Sequence, residues 1–482
     1  MNSNLPVLLS FVLYLALILV IGLKAYGRTH DIGDYILGGR KLGSMVTALS
    51  AGASDMSGWL LLGLPGAIYL AGISEIWIGI GLVIGAYLNW LFVARPLRIS
   101  SQRLSDSLTL PDYFENRFGD RNRWLRVLSA LVILLFFTFY TASGLVGGAI
   151  LFETTFDLNY FLALGAGSLI IVVYTFVGGF LAVSWTDALQ ALLMLAALIV
   201  APLAVIAGAG GAGQVWEAMR AANPQSTVLF TGAGAMSLIS LLAWGLGYMG
   251  QPHILARFMA IEHPDRVPVA RRIAMSWMVL VLAGSVLTGL AGIAYFSEQP
   301  LANPETVFIA LSQALFNPWV AGLITAAILS AIMSTIDSQL LVSSSVISED
   351  FYRVFIRPRA SRKELLLVSR LAVVVIAAFA VVIAADPDSR VLDLVSYAWA
   401  GFGAAFGPAI LLSLYWPRMT SWGAFGGIIT GAATVVVWAN LSGGWFDLYE
   451  IIPGFILSGT AIYFITVGSS QREDETRVGS LT

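Results

Sequence analysis

The residues from Ser50 to Gly63 place a carboxylate inside an otherwise apolar run. Asp55 is the ionisable residue, and small or polar residues that favour an interrupted helix surround it: Gly52, Ser54, Ser57 and Gly58. A carboxylate at membrane depth costs roughly 2.5–3.5 kcal/mol on insertion scales, so such a residue is a candidate functional group. A broken membrane helix with free backbone groups and a carboxylate suits a cation and a small polar solute. The alternative is an ordinary buried polar residue between packed helices.

A second set of candidate ligands lies much later in the chain. Ala331, Ser334 and Thr335 are spaced i, i+3 and i+4, so they share one helix face. A small hard cation prefers several oxygen ligands. These residues therefore predict a cation site. Its ligands would be the two hydroxyls and the carbonyls of Ala53, Met56 and Ala331, the last freed if the amide of residue 335 bonds elsewhere. The alternative is that both hydroxyls only bond the carbonyl one turn back.

The composition shows which kind of protein must position these groups. Of 482 residues, 58% are hydrophobic and 11% are charged, against about 25% charged in a typical soluble domain. We therefore expect an all-α polytopic membrane protein that forms a single domain over residues 1–482. The chain has no cysteine, which excludes disulfides, Fe–S clusters and thiol catalysis. The net charge of −2 gives no reason to expect nucleic acid as a partner.

Thirteen segments are long and apolar enough to span a bilayer, which takes about 20 residues. They are predicted near 5–25, 44–69, 73–95, 124–152, 159–180, 186–208, 227–251, 272–296, 318–346, 365–385, 391–415, 421–441 and 449–468. With the N-terminus outside, only Arg220 and Arg390 of the 26 basic residues fall on the outer side. This segregation follows the positive-inside rule and predicts a cytoplasmic C-terminus. The basic loop 95–126 is interpreted as part of this topology signal, in preference to a lipid-binding patch.

Two of these spans contain interruptions at matching positions. The second span is broken at 51–58, and the seventh has three glycines and a proline between Trp244 and Pro252. Because the breaks are five helices apart, the two units have opposite topology, as in an inverted 5+5 repeat. The predicted units are an N-terminal helix with an inner loop (1–43), repeat 1 with helices 2–6 (44–208), repeat 2 with helices 7–11 (227–415), two C-terminal helices (421–468) and a cytoplasmic tail (469–482).

Several motifs resemble the bacterial sodium/proline symporters of the sodium/solute symporter family. They are ALSAGASDMSGWLL followed by GLPGA, DYILGGR (34–40), LTLPDYF (108–114), GGFLAVSWTD (178–187), WGLGYMGQPHILARFMA (244–260), LVSYAWAGFGAAFGP (394–408) and YEIIPGF (449–455). The resemblance covers residues 30 to 467. It implies a LeuT-type core with thirteen helices in the cytoplasmic (inner) membrane, and sodium-driven uptake of L-proline by alternating access.

The same resemblance implies roles for individual residues. It implies sodium ligands at the five positions already named from spacing, with Asp55 required for ion binding or coupling. It implies that proline lies against Ser57, Gly58, Trp59, Tyr140, Trp244, Tyr248, Gln251 and Pro252. Arg40 and Asp187 resemble residues that affect coupling. With Asp187, the residues Asp337 and Ser338 form a candidate second cation or proton site. The alternative is that Asp337 makes a local hydrogen bond or pairs with an arginine.

Other functions remain open at this point. A sodium- or proton-coupled symporter of another small amino acid or osmolyte fits the same pattern, and an ion channel also uses broken helices and carbonyl sites. An enzyme is not expected, because the spans contain no Ser-His-Asp set, metal cluster or paired catalytic carboxylates. Sodium is the expected metal, no organic cofactor is expected, and the lipid bilayer, sodium and L-proline are the expected partners. The oligomeric state does not follow from the sequence.

Overall fold

The computed structural model describes residues 5–26, 32–177, 179–230 and 234–479. Parts of the predicted N-terminal unit (1–4 and 27–31) and the last three residues of the predicted tail lie outside these ranges. Every regular secondary-structure element in the described chain is helical, and an isolated backbone bridge joins Leu42 and Ile261. The predicted all-α class is therefore confirmed.

The α-helices are numbered in chain order. The first ten are α1 (Leu5–Tyr26), α2 (Ile32–Leu37), α3 (Ser44–Asp55), α4 (Leu64–Ala71), α5 (Ile76–Phe92), α6 (Ala94–Arg103), α7 (Leu110–Phe118), α8 (Trp124–Phe156), α9 (Tyr160–Val177) and α10 (Phe180–Gly208). The second ten are α11 (Ala212–Ala222), α12 (Gly234–Leu242), α13 (Pro252–Ala260), α14 (Val267–Tyr295), α15 (Val307–Leu315), α16 (Pro318–Ser345), α17 (Arg362–Ile383), α18 (Val391–Tyr415), α19 (Ser421–Trp438) and α20 (Ile451–Gly479).

Shorter helical segments of other types connect them. Two are π-helical, Trp59–Gly63 and Val346–Ile356. The others are 3₁₀ segments: Gly38–Arg40, Ile73–Glu75, Pro224–Thr227, Ala243–Gly250, Pro264–Arg266, Pro304–Thr306 and Gly444–Asp447.

Ten helices in the described residues are long and apolar enough to cross a membrane. The remaining three predicted spans contain shorter apolar helices, Trp59–Ala71, Tyr160–Thr175 and Gly234–Gly250. The first and last of these belong to the second and seventh spans, where the predicted interruptions divide the helix. The count of thirteen crossings stays a prediction.

Local sequence signals explain where several helices begin. Asn317 caps α16 by accepting hydrogen bonds from the amides of Trp319 and Val320, and Ser361 with Glu364 forms a capping box at α17. These side chains satisfy amides that have no partner inside the helix. Pro252 begins α13, a position where its missing N–H costs nothing.

One group of inter-span segments meets on a single face of the bundle. Arg40, before α3, donates to the carbonyls of Met259 (2.6 Å) and Ser107 (2.8 Å), which lie at the end of α13 and before α7. Arg123, just before α8, donates to the carbonyl of Val354 (3.3 Å), beyond the end of α16. The connections after the first, third, seventh and ninth predicted spans therefore share a face, as alternate crossings require.

A second group meets on the opposite face. Glu305, before α15, accepts hydrogen bonds from the amides of Val391 (3.0 Å) and Leu392 (3.1 Å) at the start of α18. The hydroxyl of Tyr160, at the start of α9, donates to the carbonyl of Ala384 after α17 (2.8 Å). The connections after the fourth, eighth and tenth spans lie together here, so the two faces alternate along the chain.

Helix α16 lies at the centre of the bundle. Within its most apolar stretch 83% of the residues are buried, against 22% for α1 and 28% for α20. Helices α1 and α20 therefore belong to the periphery, where their apolar side chains face lipid. The candidate ligands on α16 are consequently held in a buried, closely packed part of the fold.

Candidate functional site

The first interruption is a tight turn between α3 and the π-helical segment. Helix α3 ends at Asp55, and Met56 has φ −81° and ψ 74°, the backbone of an inverse γ-turn. The Ser57 amide donates to the Asp55 carbonyl at 3.0 Å, which closes that turn. The chain is helical again from Gly58. The break predicted at 51–58 is therefore confirmed, and it is centred on Met56.

This turn releases two backbone carbonyls. In a continuous helix the amide of Ser57 would bond the Ala53 carbonyl, and the amide of Leu60 would bond the Met56 carbonyl. Here Ser57 bonds Asp55 instead, and Leu60 bonds the Ser57 carbonyl at 3.0 Å. The carbonyls of Ala53 and Met56 have therefore lost their helical donors, which makes them available as ligands.

The hydroxyls on α16 reach one of these released carbonyls. Ser334 Oγ donates to the Ala53 carbonyl at 2.8 Å, and Thr335 Oγ1 lies 3.3 Å from the same oxygen. Ser334 Oγ also lies 3.1 Å from the Ala331 carbonyl. All four residues are at most 1% exposed. The structure thus brings together four of the five predicted sodium ligands, and Met56 lies in the adjoining turn.

The expected reason for the Ala331 carbonyl to take part is wrong. Helix α16 is unbroken from Pro318 to Ser345, so this carbonyl is not released by a missing helical bond. Its second lone pair, which a carbonyl retains inside a helix, is nevertheless available to a ligand. A hydroxyl that turns its hydrogen away offers a lone pair in the same manner. Two carbonyls and two hydroxyls therefore form part of an oxygen shell suited to a hard cation.

Asp55 lies beside this shell with an incomplete set of partners. The Tyr248 hydroxyl donates to Asp55 Oδ2, whereas Asp55 Oδ1 has no hydrogen-bond partner among the described residues. Asp55 is only 2% exposed, and no arginine, lysine or histidine pairs with it in the described part of the chain. A buried carboxylate without a cationic partner attracts a cation.

The second interruption is stabilised by side chains that bond its backbone. The 3₁₀ segment Ala243–Gly250 is followed by Gln251, which has an extended backbone. Its carbonyls accept hydrogen bonds from Trp399 Nε1 (to Trp244, 2.7 Å) and from Asn89 Nδ2 (to Tyr248, 2.9 Å). These donors satisfy backbone carbonyls of the break and so stabilise it.

Aromatic side chains from three helices surround the first break. Tyr140 Oη and Trp59 Nε1 both donate to the Asp55 carbonyl at 3.1 Å. The rings of Trp59 and Trp244 have centroids 6.4 Å apart, and Tyr248 reaches the Asp55 side chain as described above. Five of the residues expected to contact proline, including the turn residue Ser57, therefore lie around one short stretch of backbone.

The other expected proline contacts shape the backbone. Gln251 Nε2 donates to the Gly247 carbonyl of the second break (3.2 Å) and to the Trp399 carbonyl on α18 (3.3 Å). Pro252 begins α13. Gly58 packs so closely on α16 that a Cβ atom there would lie 3.1 Å from Ile332. These three residues support the geometry of the two breaks in this conformation.

The sequence did not identify Arg257 as part of the site. It lies beyond the predicted seventh span (227–251), yet α13 runs from Pro252 to Ala260 and Arg257 is fully buried. Arg257 Nη2 pairs with Asp187 Oδ2 (3.1 Å) and donates to Ser338 Oγ (2.5 Å). A proline can begin a helix as well as follow one, so Pro252 is compatible with a helix that continues to Arg257 but does not by itself indicate one.

Two members of the predicted coupling group lie apart from Arg257. Asp337 Oδ1 accepts a hydrogen bond from Thr175 on α9, and Asp337 Oδ2 has no hydrogen-bond partner within the described residues. Arg40 is on the face of the bundle, where it pairs with Asp106 at 2.8 Å. Partial burial lowers the pKa of the Arg40 guanidinium, and Asp106 opposes that shift. The four residues of the predicted coupling group therefore have three separate sets of partners: Arg257 for Asp187 and Ser338, Thr175 for Asp337, and Asp106 for Arg40.

The profile of the Sodium:solute symporter family matches residues 35–431. The chain belongs to this family. Two relatives extend the match to nearly the whole length. The "Sodium/proline symporter" of Salmonella typhimurium is 54% identical, with 97% of this chain and 94% of the relative aligned. The "Sodium/proline symporter" of Escherichia coli is 55% identical over 96% of this chain and 93% of that protein.

A solved structure shows the same fold at much lower identity. A Na⁺-coupled sialic acid symporter, solved in a substrate-bound outward-open state, superimposes with a TM-score of 0.80 over 96% of this chain and 97% of its own. At 19% identity this likeness concerns the fold alone. The predicted LeuT-type architecture agrees with it.

Proposed function

We propose that this chain is a secondary active transporter that moves L-proline into the cell together with sodium, by alternating access. One observation carries the proposal: the Ser334 and Thr335 hydroxyls meet the released Ala53 carbonyl, and nearby Asp55 Oδ1 has no hydrogen-bond partner among the described residues. The names of the two bacterial relatives support proline as the solute.

Sodium would bind between the first break and α16. The carbonyls of Ala53, Met56 and Ala331 and the hydroxyls of Ser334 and Thr335 are its ligands in this proposal. Asp55 acts from the side, where its charge attracts the cation without needing to touch it. Because Ala53 belongs to the broken helix and Ser334 to the central helix, a bound ion holds these two elements together.

Proline would bind next to the same turn. Its carboxylate suits the N-terminal end of the helix that begins at Gly58, because amide groups there lack helical acceptors. Its ring packs against Trp59, Trp244 and Tyr140, and aromatic faces also attract the ring ammonium. Sodium and proline thus share one stretch of backbone, Ala53–Gly58. Binding of either ligand orders this stretch for the other, which is a physical basis for coupling.

The buried polar residues next to α16 would take part in coupling. Asp187 and Ser338 both contact Arg257, so a second cation bound there must displace the guanidinium or share these oxygen ligands with it. Asp337 remains the candidate for a second cation or proton site because one of its oxygens has no partner within the described ranges. The test is the number of sodium ions that enter with each proline, measured in wild type and in Asp337→Ser. A ratio of one in both proteins would exclude the second sodium site.

Location and orientation follow from the same proposal. The positive-inside rule places the face that carries Arg40 and Arg123 in the cytoplasm, with the N-terminus outside. We assign the protein to the inner membrane, as expected for a bacterial solute transporter, and to transport in preference to catalysis.

The sodium ligands are tested through proline binding. Tritiated L-proline binding to the purified protein should strengthen as Na⁺ replaces K⁺. Ser334→Ala and Thr335→Ala should each raise the Na⁺ concentration that gives half-maximal binding by about tenfold, because each removes one of the oxygens that would coordinate the ion. Scintillation proximity across a Na⁺ series measures this shift.

Thr325→Ala is the matched control for this experiment. Thr325 lies on the same helix and is 1% exposed, but among the described residues its hydroxyl bonds only the carbonyls of Ala321 and Gly322, one turn back. Its Na⁺ dependence should equal that of wild type. If all three variants shift equally, or if Ser334→Ala weakens proline binding at saturating Na⁺ without changing the Na⁺ requirement, the helix-α16 site is misassigned.

A further inference from the structure

A cavity of about 220 Å³ lies away from the transport site, where the first turns of α8 and α19 meet. The loop before α8 supplies Asp120 and Arg121, and each helix supplies one tryptophan, Trp124 and Trp422. The volume is well above the roughly 10–15 Å³ that one water needs. The cavity therefore has room for a polar group larger than water.

Arg121 is the basic residue that lines this cavity, and no acidic side chain pairs with it among the described residues. Its side chain is exposed and makes no hydrogen bond or ion pair within the described residues. The neighbouring Arg123 is engaged by Glu115 (3.7 Å). Asp120, the acidic residue of the lining, accepts a hydrogen bond from the Leu125 amide (2.7 Å). Arg121 is consequently the group able to bind an anion here.

A second basic residue increases the positive charge near the cavity. Arg418 lies three residues before Ser421, in the turn that precedes α19, so its Cα is at most about 11 Å from that of Ser421. It is exposed and likewise has no ion pair or hydrogen bond within the described part of the chain. It does not line the cavity, but it adds to the field that an anion would experience.

The two tryptophans place the cavity at the edge of the membrane. Trp124 and Trp422 are 55% and 56% exposed and lie in the first turns of two apolar helices. Tryptophan is enriched at the level of lipid headgroups. Beyond them, Leu131 and Leu135 on α8 and Ile429 on α19 are 42–54% exposed on the sides that continue into the bilayer. A polar recess thus opens onto an apolar surface.

We propose that this cavity binds the headgroup of an anionic phospholipid. Its phosphate lies at Arg121, the tryptophan rings flank the glycerol region, and the acyl chains follow α8 and α19. Basic recesses between membrane helices on the cytoplasmic side suit such headgroups. Because α8 belongs to repeat 1 and α19 lies outside both repeats, the lipid would join the transport core to the C-terminal helices.

Native mass spectrometry of the purified full-length protein tests this site. The protein is titrated with phosphatidylglycerol or phosphatidylcholine carrying identical acyl chains. The first phosphatidylglycerol should bind about fivefold more tightly than phosphatidylcholine, as expected for one arginine near the headgroup. Arg121→Gln should remove this preference, and Arg121→Lys should retain it. Neither change affects the sodium or proline ligands, so proline binding reports that each variant is folded.

Arg359→Gln is the matched control. Arg359 is also exposed, without an ion pair or hydrogen bond in the described chain, and on the same face, but it does not line this cavity. It should keep the preference for phosphatidylglycerol. Equal losses in Arg121→Gln and Arg359→Gln would mean a general surface charge effect and would overturn the proposal. Displacement of phosphatidylglycerol by millimolar inorganic phosphate would also overturn it, by identifying a free-phosphate site.

Discussion

Asp55→Asn should raise the Na⁺ concentration for half-maximal proline uptake about 100-fold. The carboxylate is buried, and its Oδ1 atom has no partner within the described residues. At an effective dielectric constant of about 20, a unit charge about 6 Å from the ion contributes roughly 2.8 kcal/mol, which corresponds to that factor. Asparagine keeps the size and removes the charge. Initial rates of labelled proline uptake over a wide Na⁺ range measure the effect.

Tyr248→Phe separates the charge of Asp55 from its hydrogen bond. This change removes the hydroxyl that donates to Asp55 Oδ2 and leaves the carboxylate charged. We expect a shift of less than about tenfold in the Na⁺ requirement, together with weaker proline binding because the ring borders the proposed proline position. An Asp55→Asn protein with the Na⁺ dependence of wild type would show that the carboxylate has no electrostatic role in ion binding.

Arg257→Gln should destabilise the protein by about 3–5 kcal/mol. The guanidinium and the Asp187 carboxylate are both fully buried and lie 3.1 Å apart. Removing one partner leaves an uncompensated buried charge, which is far more costly than losing an exposed pair. The double variant Arg257→Gln/Asp187→Asn removes both charges and should recover much of the stability. Thermal unfolding of the purified proteins in one detergent compares them.

Arg353→Gln is the control for this comparison. Arg353 pairs with Glu349 at 2.8 Å, but its side chain is 47% exposed. Exposed pairs contribute about 0–1 kcal/mol, so this variant should unfold close to wild type. If Arg257→Gln unfolds at the same temperature as Arg353→Gln, or if the double variant is no more stable than Arg257→Gln, then the buried pair does not stabilise the fold as described.

The features that could be predicted from the sequence are those written in local patterns. The membrane class follows from composition, and the break at Met56 follows from the glycines and serines around Asp55. The α16 ligands follow from i, i+3, i+4 spacing, because helix geometry alone places Ala331, Ser334 and Thr335 on one face. Each of these inferences needs only a short stretch of chain and a regular helix.

The features that could not be predicted depend on contacts between distant segments. Arg257 meets Asp187, 70 residues away, and Ser338, 81 residues away. Nothing in the local sequence distinguishes Arg257 from a basic residue in a cytoplasmic loop, since it follows a proline that also fits a helix end. The contact of Asp337 with Thr175, 162 residues apart, is of the same kind. Only the packing of α9, α10, α13 and α16 decides these partners.

Uptake into proteoliposomes tests the central claim most directly. Purified protein is reconstituted, and labelled L-proline is supplied outside under an inward gradient of Na⁺, of K⁺ or of protons, at matched membrane potential. Sodium-coupled symport predicts that proline accumulates above its external concentration only with the Na⁺ gradient, and that collapse of this gradient releases it. Equal accumulation with K⁺ or with protons alone, or equilibration without accumulation as in a channel, would contradict the account.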